Sequence, residues 1–578
     1  MNPPSPALVT QAAVRRLPRW ALVLLSVFYV IPGYIGRQPW KEADAAGFGL
    51  MNSLANGHSD WFSPTLLGLR PDIDGWLPYW VGALFIKWFG ALGPAVVVRI
   101  PFALMLAAAI ASVWYAVYHL AHLPKAQPVA FAFGGQANRS GYARAMADAA
   151  LLIFAGCLGL AHIGHETAVD VFGVAFTGFF IAAASHTIAQ MARLSNTTPY
   201  EEQKRPSVWR HISPPLFGGL GLIGLALSGQ PTLALILSIL GGSWFAMVFS
   251  NRWQCARHPL IAWALVVSVV SLTVLLIQPP VSYPLAITTE PRLGWYRWFK
   301  LVLWFTWPAL PLALWALWQW RRQWRTPHIA LPAAVVVITL VQTLMASDPT
   351  RTMILALPAL VVLATFALPT LKRRVTALID WFALLFFTGS GVLIWVIWLA
   401  MHTGYPAQPA ANIARLAPNL APEFSAIPTI VALIGTAIWI ALIRWRTRSV
   451  KPAIWKSMVL SAGGSVWCWL LLTTLWLPLL NHGLSYGPLA REVRGMVEPK
   501  TCITSLGLSQ SQLSALQTHV AGRIVPEQTD APCDYLLMTS DRHNLNGHHT
   551  DVKGWFLKGS VWQWNNRGQV IYVYQRLD

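Results

Sequence analysis

About thirteen long apolar runs, separated by short basic loops, leave this 578-residue chain little choice but a bundle of membrane-spanning helices. A spanning helix needs about 20 mostly apolar residues. Runs of that order fall at 20–36, 95–121, 146–164, 168–192, 214–230, 231–250, 259–278, 301–320, 329–346, 352–369, 378–402, 427–444 and 458–480. Composition points the same way, with 55% apolar and only 11% charged residues. Ordinary soluble domains stay near 45–50% apolar and about 25% charged. The net charge of +20 does not indicate a nucleic-acid partner, because the basic residues are spread between apolar runs and do not gather on a hydrophilic domain. Soluble enzyme, nucleic-acid binder and disordered chain are excluded. The expected class is an all-α polytopic membrane protein.

The distribution of Lys and Arg predicts the orientation. Arg15, Arg16 and Arg19 precede the first run, and alternate loops carry Lys125, Arg139 and Arg144, then Arg193, Lys204, Arg205 and Arg210. The series continues with Arg252 and Arg257, with Arg321, Arg322 and Arg325, with Lys372, Arg373 and Arg374, and with a last group from Arg444 to Lys456. More than half of the 42 basic residues thus fall on one side, which the positive-inside rule makes cytoplasmic. Thirteen spans from a cytoplasmic N-terminus put the C-terminus outside. The membrane part is expected over 1–481, with a long first outer loop at 37–94 whose apolar stretch 77–89 is too short to span and is expected to lie along the interface. The tail 482–578 alternates strand-like runs (501–508, 535–539 and 570–574) with a helix-like stretch at 509–520, and reads as a small external α/β domain. Cys502 and Cys533 both lie in that tail, where an oxidising compartment favours a disulfide between them.

The 22 carboxylates are more informative than the cations. Glu42, Asp44, Asp60, Asp72 and Asp74 crowd into the first outer loop, and Glu166 and Asp170 follow a span end in His165-Glu-Thr-Ala-Val-Asp170. Positions four apart share a helix face. An ionisable group at membrane depth is costly unless paired or solvated, so such groups are candidate functional residues by default. Glu42 and Asp44 also open an apolar helix-like stretch, where acids complement the positive helix end.

From Arg37 onward the order of features resembles the first outer loop of bacterial GT-C glycosyltransferases, such as the protein O-mannosyltransferases and the lipid A aminoarabinose transferases. The matching residues are Pro39, Trp40, Asp60-Trp61, Pro64, Gly68, Leu77, Tyr79-Trp80, Lys87, Phe89-Gly90 and Arg99. Against the family pattern, Ala43 stands at the catalytic Asp position, Asp44 follows it, Glu42 precedes it, and Asp74 replaces a Lys. The resemblance implies an inner-membrane enzyme of bacteria that transfers a sugar, with inversion, from a polyprenyl-phosphate donor to a lipid or protein acceptor on the periplasmic side. Asp44 and Glu42 are then the candidates for the base. Glu166, Asp170, His165 and Asp74 would orient acceptor or donor, and Arg351, Arg99, Lys87 and Arg297 would bind phosphate. Arg suits phosphate through its planar fork of donors. Trp76, Trp80 and Trp88 would offer a groove to the lipid chain, and membrane lipids are the remaining partners. No cofactor is identified. A divalent metal is compatible with this chemistry, but no His/Asp spacing supports a dedicated metal site. The altered motif keeps a second possibility open, a catalytically degenerate protein of the same fold that binds lipid or partner proteins. Two related halves, the mark of many transporters, are not seen.

Overall fold

The computed structural model describes the chain except for 1–4, 71–74, 132–133, 195–207, 250–252, 278–293, 347, 418–419, 421–422, 449–452, 527–531, 542–553, 563–568 and 578. Each apolar run becomes helix, the one open-ended structure that satisfies every backbone polar group internally in lipid. Among the described residues, eight helices are long and apolar enough to cross a membrane: Pro94–Ala121, Val169–Arg193, His258–Leu276, Pro327–Met345, Pro349–Thr370, Arg373–Thr403, Ala426–Arg448 and Ile454–Leu475. Shorter apolar helices lie at Arg19–Val30, His211–Leu227 and Pro231–Ser243.

Two of the expected spans are broken. The run at 301–320 divides into Trp295–Phe305 and Ala309–Gln319, which meet at 93°. Pro308 lies at the break, where a residue without an N–H starts the second helix and disfavours helical geometry in Trp307. The first half is amphipathic, with Trp295, Tyr296 and Phe299 exposed, as suits a helix lying in the interface. The run at 146–164 divides at Gly156 into Arg139–Ala155 and Leu158–Ile163. Val169–Arg193, Pro349–Thr370 and Ile454–Leu475 are the most enclosed spans, whereas Arg373–Thr403 and Ala426–Arg448 turn Leu378, Leu385, Ile430 and Ile434 outward. Outward apolar side chains are what a lipid-facing rim requires.

The tail folds into one five-stranded sheet of β1 (Cys502–Leu506), β2 (Arg523–Pro526), β3 (Tyr535–Asp541), β4 (Trp555–Trp562) and β5 (Gln569–Arg576), in the order β2-β1-β3-β5-β4. β1 pairs parallel with β2 and β3, and β5 pairs antiparallel with β3 and β4. Ile503, Leu537, Ile571 and Val573 form its core with Leu513 and Leu516 of the Gln510–His519 helix. That helix starts at a capping box, Ser509 and Gln512 each bonding the other's backbone N–H. Cys502 and Cys533 are joined by a disulfide.

This small domain is docked on the 37–94 loop. The Gln510–His519 helix packs along the Lys41–Ala55 helix, where Ser511 Oγ donates to the Glu42 carbonyl (2.9 Å) and Ser514 Oγ to the Ala45 carbonyl (2.7 Å). The Gln510 side-chain amide donates to the Arg70 carbonyl. The approach depends on Gly49, since a Cβ there would lie 2.3 Å from Ser514 Oγ. Asn481, after the last long span, fastens the other end. Its Oδ1 accepts from Gln38 N (3.0 Å) and Trp40 Nε1 (2.8 Å), and its Nδ2 donates to the Gly36 carbonyl (3.1 Å). Gly49→Leu is therefore expected to destabilise the docked arrangement by about 1–3 kcal/mol. This should register as a lower thermal midpoint in detergent and faster proteolysis within the tail. Gly495→Ala, where an added Cβ meets nothing within 4 Å, should not lower the midpoint.

Candidate functional site

The segment from Gly164 to Asp170, which links the Leu158–Ile163 helix to the first turn of the Val169–Arg193 span, is the hub on which the elements of the 37–94 loop converge. Gly164 O accepts from Tyr34 Oη (3.0 Å) and His165 O from Arg37 Nη1 (2.9 Å). Thr167 donates twice to Asp44 Oδ1, from its backbone N (2.8 Å) and from its hydroxyl. The other Asp44 oxygen accepts from Trp40 N (2.9 Å) and Arg37 Nη2 (3.3 Å). Asp44 is 1% exposed, with both oxygens occupied. Burial raises its pKa, but the Arg37 and Arg99 cations and the bonds from Thr167 and Trp40 outweigh burial and hold the carboxyl below its usual range. A carboxylate so satisfied is a strong anchor and a weak proton acceptor.

The second half of the hub faces Arg351. The Arg351 guanidinium donates to Glu166 Oε2 (2.7 Å) and to Asp170 Oδ2 (2.5 Å), with Asp348 Oδ2 at 3.7 Å. Asp348 also caps the short Pro349–Met353 helix, accepting from Thr350 N and Arg351 N, which fixes where Arg351 emerges. The Arg351 side chain keeps 20% exposure, whereas Glu166 is 2% exposed. Burial raises the Glu166 pKa above its ordinary value, against the opposing pull of the Arg351 and Arg37 cations. Glu166 precedes the helix that contains Asp170, so the two acids meet one guanidinium from a turn and a helix start, not from one helical face.

The remaining candidates divide clearly. Glu42 is exposed in the first turn of the Lys41–Ala55 helix. Arg99, 5% exposed, donates to the Tyr34 carbonyl (3.0 Å) and lies close enough to Asp44 to act on its charge, so it supports the hub from within and presents no guanidinium to a ligand. His165, expected to orient a substrate, is buried. Its ring is enclosed by Tyr29, Tyr34 and Trp469, with Nδ1 3.1 Å from the Ala161 carbonyl and Nε2 2.9 Å from that of Tyr29. Burial pushes the ring down to about 4, so a neutral imidazole donates to one of those two carbonyls. Lys87 and Arg297 are exposed, on the 77–89 helix and the Trp295–Phe305 helix. Asp74 lies outside the described residues, but its neighbour Gly75 is packed beside Val169, next to Asp170, and Trp76 N donates to the Leu227 carbonyl (2.7 Å). Trp76 and Trp80 stack at 5.7 Å, Phe62 meets Trp80 edge-on, and Trp88 is 64% exposed.

Arg37 is the residue that sequence reasoning missed. It bridges the hub and Asp44 while its guanidinium covers the Trp40 ring at 4.0 Å. Its one signal was position, a lone cation between the first apolar run and Pro39-Trp40. Among the described residues, no group of three or more His, Cys, Asp or Glu is arranged to hold a metal ion.

No protein-family model matches the sequence, and no curated protein matches it. Solved structures do match. ArnT from Cupriavidus metallidurans in the apo state aligns with a TM-score of 0.60 at 14% identity, over 96% of this chain and 97% of that one. The same protein bound to undecaprenyl phosphate aligns with a TM-score of 0.59 at 14% identity over the same shares. At near-complete coverage of both chains, this multi-pass membrane protein has the GT-C fold in its ArnT-like form.

Proposed function

We propose that the protein is a glycosyltransferase of the bacterial inner membrane that moves a sugar from a polyprenyl-phosphate donor to a lipid or protein acceptor on the periplasmic side. The observation that carries this is the outer-face cluster of Arg351, Glu166 and Asp170, built into a fold whose ArnT representative has been solved with undecaprenyl phosphate bound. The N-terminus is assigned to the cytoplasm and the tail to the periplasm, as the charge of the loops requires.

In this reading Arg351 receives the donor phosphate, for which a guanidinium is a fitting bidentate partner. Engagement of Arg351 by phosphate releases Glu166 from its ion pair. Burial already raises the Glu166 pKa, which makes it a better proton acceptor than Asp44, whose carboxyl is held below its usual range. The acceptor hydroxyl gives its proton to Glu166 as its oxygen bonds to the anomeric carbon. The bond from that carbon to the phosphate oxygen breaks, and the electron pair leaves with the polyprenyl phosphate. Attack opposite the leaving phosphate inverts the anomeric centre. Asp170 keeps Arg351 oriented, and Asp44 positions the Lys41–Ala55 helix without touching the reacting atoms. Glu42, exposed on that helix, is the other carboxylate able to meet an acceptor. The second reading, a degenerate protein that binds lipid without transfer, is favoured by Ala43 at the family's catalytic position and by the full occupation of Asp44.

The test is transfer from a polyprenyl-phosphate sugar by the purified full-length protein. Glu166→Gln is expected to lower kcat by about 10²–10⁴-fold with little change in thermal midpoint; a fall of that size in Glu42→Gln and not in Glu166→Gln would move the base to Glu42. No transfer by the wild type under any donor would favour the degenerate protein. Asp44→Ala should act on stability instead, costing about 3–5 kcal/mol because Arg37 is left buried without its counter-charge. The pH dependence follows from signs. Glu166 accepts a proton only when ionised and its folded pKa is raised, so the acid limb of kcat/KM should lie above 4.5, its ordinary value, and disappear in Glu166→Gln. The Asp44 pKa is lowered, so its contribution to stability persists above 3.8 and is lost only as pH falls below that value through the folded pKa.

A further inference from the structure

A concave pocket of about 470 Å³ opens at the membrane face opposite the Asp44 cluster, between the loop that follows the Arg99–Ala121 helix, the N-terminal segment at Ser5 and the turn Arg321–Thr326. Arg99 sits beside Asp44, and the 23 residues of its helix rise about 35 Å, so Lys125 beyond its far end lies across the bilayer. The charge of the loops makes this face cytoplasmic.

The pocket has the lining of an anion site. Lys125, Arg322 and Arg325 contribute to its wall and no carboxylate does. All three are exposed, and none enters an ion pair among the described residues. Thr326, also in the wall, is the N-cap residue of the 19-residue Pro327–Met345 helix but does not cap it. Its hydroxyl donates to the Gln323 carbonyl (2.6 Å) instead, so the positive helix end adds to the field of the cations. The walls are held in place: the Gln127 side-chain amide donates to the Ala121 carbonyl (2.5 Å), Val129 N to the Ala7 carbonyl (3.0 Å) and Gln323 N to the Trp320 carbonyl (2.7 Å). Uncompensated cations around a concavity focus the local potential on an anion.

The surroundings indicate where that anion comes from. The Ala309–Gln319 helix, which leads into the turn, exposes Leu314, Leu317 and Trp318. Trp324 is exposed at the turn itself, beneath the Arg325 guanidinium at 5.0 Å from its ring centroid. A cation-lined pocket next to an exposed apolar, Trp-bearing helix matches a molecule with a phosphate at one end and acyl chains at the other. Basic pockets between spans on the cytoplasmic side are suited to such headgroups. The geometry points to a binding site for a phosphate-bearing anion at this face, occupied by the headgroup of an anionic phospholipid. It is separate from the outer-face cluster and does not depend on transfer activity.

The test is native mass spectrometry of delipidated full-length protein titrated with phosphatidylglycerol, phosphatidylcholine or inorganic phosphate. The wild type should bind phosphatidylglycerol well above phosphatidylcholine, and millimolar phosphate should not displace it. The triple variant K125Q/R322Q/R325Q should bind phosphatidylglycerol at least about tenfold more weakly, given that each basic residue near a membrane surface is worth about 1 kcal/mol. Arg325→Gln alone should give a smaller loss in a protein with an unchanged thermal midpoint. The control K372Q/R373Q/R374Q, which neutralises three exposed cations elsewhere on the same face, should bind as the wild type does. Equal binding by both triple variants, or equal binding of the two lipids, would overturn the site. Displacement by inorganic phosphate would overturn the lipid assignment.

Discussion

The buried Asp44 carboxylate is the interaction on which the outer half of the molecule depends. Four donors from two segments converge on it: Arg37 and Trp40 before the helix, and the backbone and hydroxyl of Thr167 after the Leu158–Ile163 helix. An unpaired charge at this depth would cost several kcal/mol, so none of the segments can leave without exposing the others to that penalty. The same contact sets the position of Glu166, one residue before Thr167, and with it the distance at which Arg351 must stand. Asn481 and the Gln510–His519 helix then add a second layer from the C-terminal side, joined to Gly36–Trp40 and to the Lys41–Ala55 backbone. The outer-loop helix is thus held on two sides by polar contacts while its apolar residues Phe48, Leu50, Met51 and Leu54 are buried.

The Arg351 cluster and the Lys125 pocket handle charge differently. At the outer end, cations and carboxylates are paired and enclosed, as with Arg37–Asp44 and Arg351 between Glu166 and Asp170. At the opposite end, Lys125, Arg322 and Arg325 stand exposed without acids. The first arrangement can exchange an internal partner for a ligand phosphate with little new desolvation, because the guanidinium is already mostly out of water. The second leaves its cations without internal ion-pair partners among the described residues.

Hydropathy made the helices legible because burial in lipid asks only for apolar length, and each apolar run is helical. It could not show the 93° turn at Thr306–Pro308 or the division at Gly156, since apolarity carries no information about axis direction. The crowding of acids at 42–44 and 166–170 was visible, and so was Arg351 as an outer-face cation. Their partnerships were not, because Arg351 is 181 residues from Asp170 and Asp44 is 123 from Thr167. Residue type alone could not separate Asp44, saturated with donors, from Glu166, whose pKa burial raises. The docking of the tail was hidden for a related reason. Ser511 and Ser514 bond to main-chain carbonyls, which every sequence contains, and Gly49, where a Cβ would meet Ser514, carries no signal of its partner.

Arg351, held between two carboxylates, is the residue proposed to receive a lipid-linked phosphate. Equilibrium binding of polyprenyl phosphate to the purified full-length protein in nanodiscs, comparing the wild type with Arg351→Gln, tests it most directly. Saturable binding to the wild type is expected, weakened at least about tenfold in the variant, the scale of losing a charge-assisted hydrogen-bond partner. Equal affinities in the two proteins, or no saturable binding to the wild type, would contradict it.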